Sequence, residues 1–217
     1  MKIGILGSAE VGQALGGGFL KEGYEVMLGT RNVNKEEVVN WKNTHKGSQT
    51  GNFEATAKFG EILVLAVPGS AVDEVVDLAG ADHFTGKIVI DATNPIAPGA
   101  PVDGILKFFT TLEDSLLERT QRLLPEAKLV KAFNSVGSTS MYKPAFPGGK
   151  PSMFICGNDA GARKTVTEIL TRFGWETEDM GVAAAARTIE PLCLLWCIPG
   201  FLRNDWEHAF KVLRMPG

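Results

Sequence analysis

The sequence predicts a doubly wound α/β fold with a mainly parallel sheet and a C-terminal helical appendage. Short apolar runs alternate with stretches of helical pattern along the chain. Runs that are almost continuously apolar are typical of parallel strands covered on both faces. Strand and helix in alternation require right-handed crossovers and hence an open α/β sheet. The first run is followed directly by a glycine, Gly7, at the point where such a sheet needs a sharp turn.

The apolar runs and the stretches between them give the expected elements in order. Predicted strands lie at 3–6, 25–28, 62–67, 88–90, 129–133 and 153–155. Predicted helices lie at 11–21, 35–44, 71–78, 112–124 and 160–173. For the helix at 112–124, Thr111 with Asp114 three residues later resembles a capping box, and Pro125 ends it.

The pattern changes after Gly181, so we interpret residues 1–217 as one domain, with the sheet and its helices at 1–181 and a helical tail at 182–217. Residues 183–186 and 189–196 carry a helical pattern. Pro199 and Gly200 predict a break there, and Asn204 is expected to cap a last helix that reaches about Leu213.

Composition excludes several classes of protein. The chain is 44% hydrophobic and 22% charged, which is typical of a globular protein. A net charge of −3 gives no basic footprint for nucleic acid. The longest apolar run, 192–202, is shorter than the ~20 residues of a membrane span, so we expect no membrane crossing. With three cysteines and no export signal at the first residues, we expect a cytoplasmic protein without disulfides.

The first strand ends at the position of a dinucleotide fingerprint, Gly7-Ser8-Ala9-Glu10-Val11-Gly12. This favours a Rossmann-type fold. Gly7 would allow the turn, Gly12 would allow close helix packing, and the intervening N–H groups would face a pyrophosphate. Ala9 occupies the position where the fingerprint has its middle glycine, and Glu10 adds a negative charge beside it. A degenerate turn that binds nothing is the alternative.

The second strand ends in Thr30 and Arg31, where an enzyme that uses NAD would place an acidic residue for the ribose. A hydroxyl and a guanidinium suit a 2′-phosphate, and Lys35 could add a third contact. The pattern therefore predicts NADP(H), with a solvated loop as the alternative.

Three further strand ends would complete a cofactor trough, because ligands bind outside the carboxyl ends of such strands. Asn134 and nearby backbone amides could reach the nicotinamide, although similar turns end many strands without binding anything. The candidate residues at these ends are Val67, Pro68, Asn94, Pro95, Phe133 and Asn134.

Together these motifs resemble the NADP reductases that depend on coenzyme F420, a deazaflavin. They also resemble the cytoplasmic NADPH-binding domain of the six-transmembrane metalloreductases. The more specific matches are Gly29-Thr30-Arg31 and residues 131–134, within similar stretches at 3–12, 28–35, 65–68, 91–95, 130–137, 155–157, 179–181 and 187–192. The resemblance implies a Rossmann domain, NADP(H), hydride transfer and a homodimer, with Thr30, Arg31 and Lys35 on the 2′-phosphate.

Other residues that could carry chemistry are interpreted as structural. The three histidines fall outside the predicted strand ends and are expected to be surface residues. Cys193 and Cys197 are expected to pack in a core rather than bind metal. Arg187 and Glu190 could pair along a helix. The large apolar residues of 192–202 are expected to bury against a second copy of the chain.

With no proton donor evident at the trough, we predict hydride transfer to a flat acceptor, either coenzyme F420 or a flavin, without a catalytic side chain or a metal. Three alternatives stay open. They are a carbonyl or imine reductase, a ferric or flavin reductase, and a non-catalytic NADP-binding module.

Overall fold

A parallel six-stranded sheet organises residues 1–215, the part of the chain that this computed structural model describes. The strands are β1 (Lys2–Leu6), β2 (Glu25–Gly29), β3 (Gln49–Gly51), β4 (Ile62–Leu65), β5 (Ile88–Asp91), β6 (Lys128–Lys131), β7 (Ser152–Ile155) and β8 (Glu176–Asp179). The sheet order β3-β2-β1-β4-β5-β6 is that of a Rossmann fold, with its switch point between β1 and β4. The parallel pair β7-β8 joins it through an antiparallel bridge from Lys131 to Cys156.

Helices cover both faces of this sheet. They are α1 (Glu10–Lys21), α2 (Glu36–Thr44), α3 (Phe53–Phe59), α4 (Val72–Ala79), α5 (Leu116–Leu123), α6 (Ala160–Arg172), α7 (Ala186–Ile189) and α8 (Leu192–Arg203). Alternate residues of one strand enter opposite cores: Val64 of β4 packs with α1 and α6, whereas Leu63 and Leu65 pack with α3, α4 and α5. This two-sided burial explains the continuous apolar runs and confirms the predicted fold class.

Three glycines in α1 let that helix approach three different neighbours. A Cβ on Gly16 would lie 2.8 Å from the ring of Trp41, and one on Gly18 would lie 3.0 Å from the ring of Phe173. A Cβ on Gly17 would meet the imidazole of His45 at 3.1 Å. Close packing therefore offsets the unfavourable free energy that each glycine has in a helix relative to alanine.

Some predicted boundaries are wrong, and three short elements, β3, α3 and β8, were missed. Helix α5 begins at Leu116, and its capping box is formed by Ser115 and Glu118 rather than by Thr111 and Asp114. Thr111 and Asp114 instead form an isolated bridge just before the helix. Both pairs fit the same short motif, so only the tertiary position of the helix distinguishes them.

The predicted tail differs most from the structure. Helix α8 continues through Pro199 and Gly200 to Arg203, and Asn204 is its left-handed C-cap with φ 55°. Gly200 serves packing, because a Cβ there would lie 2.3 Å from the ring of Trp206. Residues 204–215 are neither helix nor strand, and this segment runs beside β7, where the amide of Ser152 donates to the carbonyl of Phe210 at 2.8 Å. Residues 216 and 217 of the predicted tail lie outside the described residues.

The helical run Ala183–Arg203 has the length and the mean hydropathy, 1.2, of a membrane-crossing helix. Composition alone is weak evidence, because a helix in a protein core passes the same test. In the 18-residue window of this run that passes the test, 39% is buried in the fold, and Glu190 accepts hydrogen bonds from the start of α5. In this structure one side of the run packs against the fold, and Leu195, Phe201 and Leu202 on the other side are exposed.

Candidate functional site

The turn between β1 and α1 requires both of its glycines. Gly7 has φ +134°, and a Cβ there would lie 2.2 Å from the carbonyl oxygen of Ala66. A Cβ on Gly12 would lie 2.1 Å from the carbonyl oxygen of Gly7. The turn therefore brings the start of α1 against the ends of β1 and β4, at the switch point of the sheet.

The N-terminus of α1 is open towards the edge of the sheet. Ala9 is the N-cap residue in extended backbone, and among residues 1–215 no side chain caps the helix. Gln13 fastens the turn from behind by donating to the carbonyl of Ser8 at 2.9 Å. Free N–H groups at a helix N-terminus attract anionic groups, and the exposed Glu10 is the one acidic residue in this first turn.

A first cavity of about 280 Å³ lies between this turn and the end of β2. Thr30 is buried at its wall, where its amide donates to Gly51 at 3.0 Å and its hydroxyl accepts from the amide of Asn32 at 3.3 Å. The cations at the rim are exposed: Arg31 pairs with Glu74 at 3.3 Å, and Lys35 pairs with Glu37. The cavity is lined by Gly7, Ser8, Ala9, Thr30, Arg31, Asn32, Lys35, Glu37, Phe53, Ala66, Val67 and Pro68.

A second cavity, of about 570 Å³, continues along the strand ends towards β5. It shares the wall formed by Ala9, Ala66, Val67 and Pro68 with the first cavity, so the two form one trough. The end of β4 touches the end of β5 closely, since a Cβ on Gly69 would lie 2.2 Å from the carbonyl oxygen of Asn94. The rest of the lining is Glu10, Val11, Gly69, Ala92, Thr93, Asn94 and Ile96.

Four of the predicted binding residues line neither cavity. Gly12 supports the turn from within α1, and Pro95 is buried behind the strand end. Phe133 has φ 61° and turns its side chain into the core, 6.0 Å from the ring of Phe173. Asn134 lies beneath Asn94, and the two side-chain amides hydrogen bond at 3.3 Å. The sequence does not show the left-handed conformation of Phe133 directly after β6.

Asn134 supports the trough from below. Its amide nitrogen donates to the carbonyl of Ile189 at 2.9 Å, and its own carbonyl accepts from Asn94 at 2.8 Å. Its side-chain oxygen is buried and has no hydrogen-bond partner among residues 1–215.

A fully buried charge cluster, which the sequence analysis missed, lies under the second cavity. We use the term buried cluster for Asp91, Lys131 and Glu190. The ammonium of Lys131 lies 2.8 Å from Asp91 and 3.1 Å from Glu190, and it donates to the carbonyl of Thr93 at 3.0 Å. A signal was present: Asp91 and Lys131 are the charged final residues of apolar strands. Their pairing depends on the β5–β6 register, which the sequence does not show.

The charges of the buried cluster are stabilised by one another and by the amides at the start of α5. Burial alone would lower the pKa of Lys131, but Asp91 and Glu190 outweigh that effect and raise the pKa above its usual value. The second carboxylate is compensated at the N-terminus of α5, where the amides of Leu116 and Leu117 donate to Glu190 at 3.0 and 2.9 Å.

The expected pairing of Arg187 with Glu190 is wrong. Arg187 forms a two-pronged contact with Glu118 of α5, at 2.7 and 2.9 Å. This contact, together with Ser115, lowers the pKa of Glu118 to about 2. Arg187 of α7 and Glu190 just after that helix therefore bind different residues in the first turn of α5.

The histidines and cysteines hold structural positions. His45 stacks on Trp41 and His208 stacks on Trp196, with ring centroids 4.6 and 5.2 Å apart. His208 lies in the non-helical segment rather than on the predicted last helix. Cys193 and Cys197 are buried in a small apolar core, as predicted.

Comparison with known proteins places this trough in a family. The family model described as "NADP oxidoreductase coenzyme F420-dependent" matches residues 2–95, which include the glycine turn and the first cavity. The crystal structure of a putative F420-dependent NADP-reductase from Arthrobacter sp. FB24 superposes with a TM-score of 0.91 and 31% identity, covering 99% of this chain and 100% of the other. The chain belongs to the coenzyme F420-dependent NADP oxidoreductase family.

Other relatives of this family member extend the comparison. The F420-dependent NADP reductase of Methanocaldococcus jannaschii is 27% identical, over 88% of this chain and 89% of that protein. The rat metalloreductase STEAP3 is 29% identical over 93% of this chain, which spans only 39% of the metalloreductase. A Streptomyces aurantiacus imine reductase, at 17% identity and a TM-score of 0.66, shares the fold.

Proposed function

We propose that this family member transfers hydride between NADP(H) and a flavin-like acceptor, with the deazaflavin coenzyme F420 as the first candidate. The observation that carries the proposal is the continuous trough at the switch point of the sheet. One end offers cations and open helix N–H groups, and the other end is a larger and mainly apolar cavity.

The residues of the first cavity fit NADP(H). The tight Gly7 turn and the uncapped N-terminus of α1 would hold the pyrophosphate. Thr30, Arg31 and Lys35 would hold the 2′-phosphate, since a guanidinium binds phosphate through paired donors. Glu74 and Glu37, which now pair with the two cations, would have to release them.

The second cavity fits a ring that stacks against the nicotinamide. When bound, NADPH supplies the hydride, and the chain supplies alignment and exclusion of water. Among the lining residues Glu10 is the one titratable side chain, and it lies exposed at the mouth. A carbonyl reductase needs a positioned acid, so the lining favours a flavin-like acceptor over a carbonyl or imine.

A second candidate acceptor is a flavin that passes electrons to ferric iron. The likeness to the rat metalloreductase favours it, because it covers 93% of this chain. The names of the Methanocaldococcus and Arthrobacter relatives favour F420.

We further propose a homodimer that covers the exposed side of α8. Leu195, Phe201 and Leu202 are 55%, 42% and 55% exposed, whereas Trp196 of the same helix is buried in its own fold. Sedimentation at micromolar concentration tests this proposal, and a monomer there would contradict it.

The proposed activity is tested by following NADPH oxidation at 340 nm with coenzyme F420, FMN, FAD and a ferric chelate as separate acceptors. Turnover with F420 and at least ~10-fold weaker turnover with NADH support the proposal. Turnover only with FMN or FAD plus ferric chelate supports the second candidate. Tight NADPH binding without turnover on any acceptor would contradict both and favour a binding module.

A further inference from the structure

The buried cluster does more than hold charges, because its contacts converge on one wall of the second cavity. Thr93, which lines that cavity, is held at every polar atom of its backbone. Its amide and its hydroxyl both donate to Asp91, at 2.8 and 2.6 Å, and its carbonyl accepts from Lys131 at 3.0 Å. Thr93 therefore cannot move away without breaking a buried hydrogen bond to Asp91 or Lys131.

The next residue of the same wall is held by a neighbouring network. The side chain of Asn94 donates to the carbonyl of Asn134 at 2.8 Å, and Asn134 in turn reaches the carbonyl of Ile189 at 2.9 Å. Ile189 is the last residue of α7 and directly precedes Glu190 of the buried cluster. Both networks therefore end on the same short stretch of chain.

Three distant parts of the sequence meet in this arrangement. Asp91 closes β5, Lys131 closes β6, and Glu190 joins α7 to α8 while accepting the first amides of α5. Each of the three residues is at most 1% exposed. The ammonium of Lys131 directs its three donors at Asp91, Glu190 and the carbonyl of Thr93. A buried ionic network of this kind is rigid, which is what a wall that aligns two rings requires.

We propose that Asp91, Lys131 and Glu190 are positioning residues for hydride transfer, which hold the Thr93–Asn94 wall against which the nicotinamide and the acceptor are aligned. The inference rests on the proposed function. On this proposal, a cluster that touches neither ring aligns the nicotinamide with the acceptor. Because Glu190 lies between α7 and α8, the position of these helices also affects that alignment.

The test uses Glu190→Gln in the full chain, because this variant keeps the volume and removes one carboxylate. The far end of the trough is untouched, so the Kd for NADPH should stay within about twofold. Misalignment by ~1 Å can cost on the order of a hundredfold in rate, so kcat should fall by at least ~10-fold. The nicotinamide fluorescence of bound NADPH should also lose intensity, and hydride transfer from C4-deuterated NADPH should lose stereospecificity.

Glu118→Gln is the matched control. Glu118 is also a carboxylate at the N-terminus of α5, but its partners are Ser115 and Arg187 rather than the cavity wall. Its loss should lower the melting temperature and leave kcat, fluorescence and stereospecificity unchanged. If Glu190→Gln behaves like Glu118→Gln, with lower stability but an unchanged bound-NADPH signature, the buried cluster is only structural and the proposal is overturned.

Thr93→Val decides the question if Glu190→Gln does not fold, since it removes one hydroxyl at almost constant volume. This variant should show a loss of kcat and of bound-NADPH fluorescence that is smaller than the loss in Glu190→Gln, at unchanged NADPH affinity. Unchanged kcat and fluorescence would overturn the proposal. If the natural chain transfers hydride to no acceptor, the proposed function fails by itself. The fluorescence of bound NADPH then still tests whether the cluster orders the nicotinamide.

Discussion

The two ends of the trough are built in opposite ways. At the first cavity, Arg31 and Lys35 are exposed, lie on a loop, and pair directly with exposed carboxylates. At the second cavity, Asp91 and Lys131 are wholly buried and pair within the sheet. A surface ion pair contributes little to stability and exchanges partners easily, whereas a buried one is costly to break.

This difference matches what each end is proposed to do. A phosphate can displace an exposed carboxylate from a cation, so the first end can bind and release its ligand. A hydride acceptor needs a wall that does not move, so the second end benefits from contacts that cannot exchange. On these proposed roles, exposed charge near a site serves capture, and buried charge serves alignment.

The largest expected effect comes from a substitution that disrupts the buried ion pairs under the second cavity. In Lys131→Met, two carboxylates lose their shared cation inside the fold, and the free energy of unfolding should fall by about 3–5 kcal/mol. Urea denaturation at pH 7 measures the loss. Lys35→Met, which breaks an exposed pair at the other end, is the matched control and should cause a far smaller loss. Equal losses for the two variants would show that the contrast between the ends is wrong.

A half-buried pair should lie between these extremes. The pKa of Glu118 is lowered to about 2, first by its hydrogen bonds to Arg187. Because the folded pKa is below the unfolded one, this carboxylate stabilises the fold fully above the unfolded value of 4.5 and loses that effect as the pH falls through about 2. The contribution is on the order of 1–3 kcal/mol. Urea denaturation between pH 6 and pH 2.5 should show it, and Glu118→Gln should flatten the curve over that range.

At the exposed end, the expected effect is on affinity rather than on stability. We expect NADPH to bind at least ~10-fold tighter than NADH, about 1.4 kcal/mol, and Arg31→Ala to remove most of this margin. Calorimetry with both cofactors measures it. Glu74→Gln, which frees Arg31 from its present partner, should keep or widen the margin. Equal affinities of the natural chain for both cofactors would rule out this role of Arg31.

The smallest effect concerns the helix N-terminus between the two ends. The double change Ala9→Gly with Glu10→Asn removes a methyl and a negative charge near the pyrophosphate, and it should tighten NADPH binding by about threefold, less than 1 kcal/mol. Glu10 is exposed, so salt should screen the gain. Unchanged or weaker binding at low salt would mean that the turn is already adapted to both residues.

Local patterns gave the parts of the fold and of the site that depend on neighbours in sequence. The apolar runs predicted six of the strands, and the glycine turn and Thr30-Arg31 predicted the first cavity. Short elements such as β3 and α3 were not predicted, because three to seven residues carry too little periodic signal. The break expected at Pro199 was wrong because Trp206 packs on Gly200 and tertiary contacts outweigh helix propensity.

What the sequence by itself determined is the order of six strands and of the longer helices, the glycine turn at the first crossover, and the cations that favour NADP. Each depends on residues within one turn or one strand, so composition and spacing suffice. The tertiary structure alone decided that Asp91, Lys131 and Glu190 meet, since 40 and 59 residues of chain separate them in order. Their contact needs the β5–β6 register and the docking of α5 and α7, and these arise only when the sheet buries both of its faces.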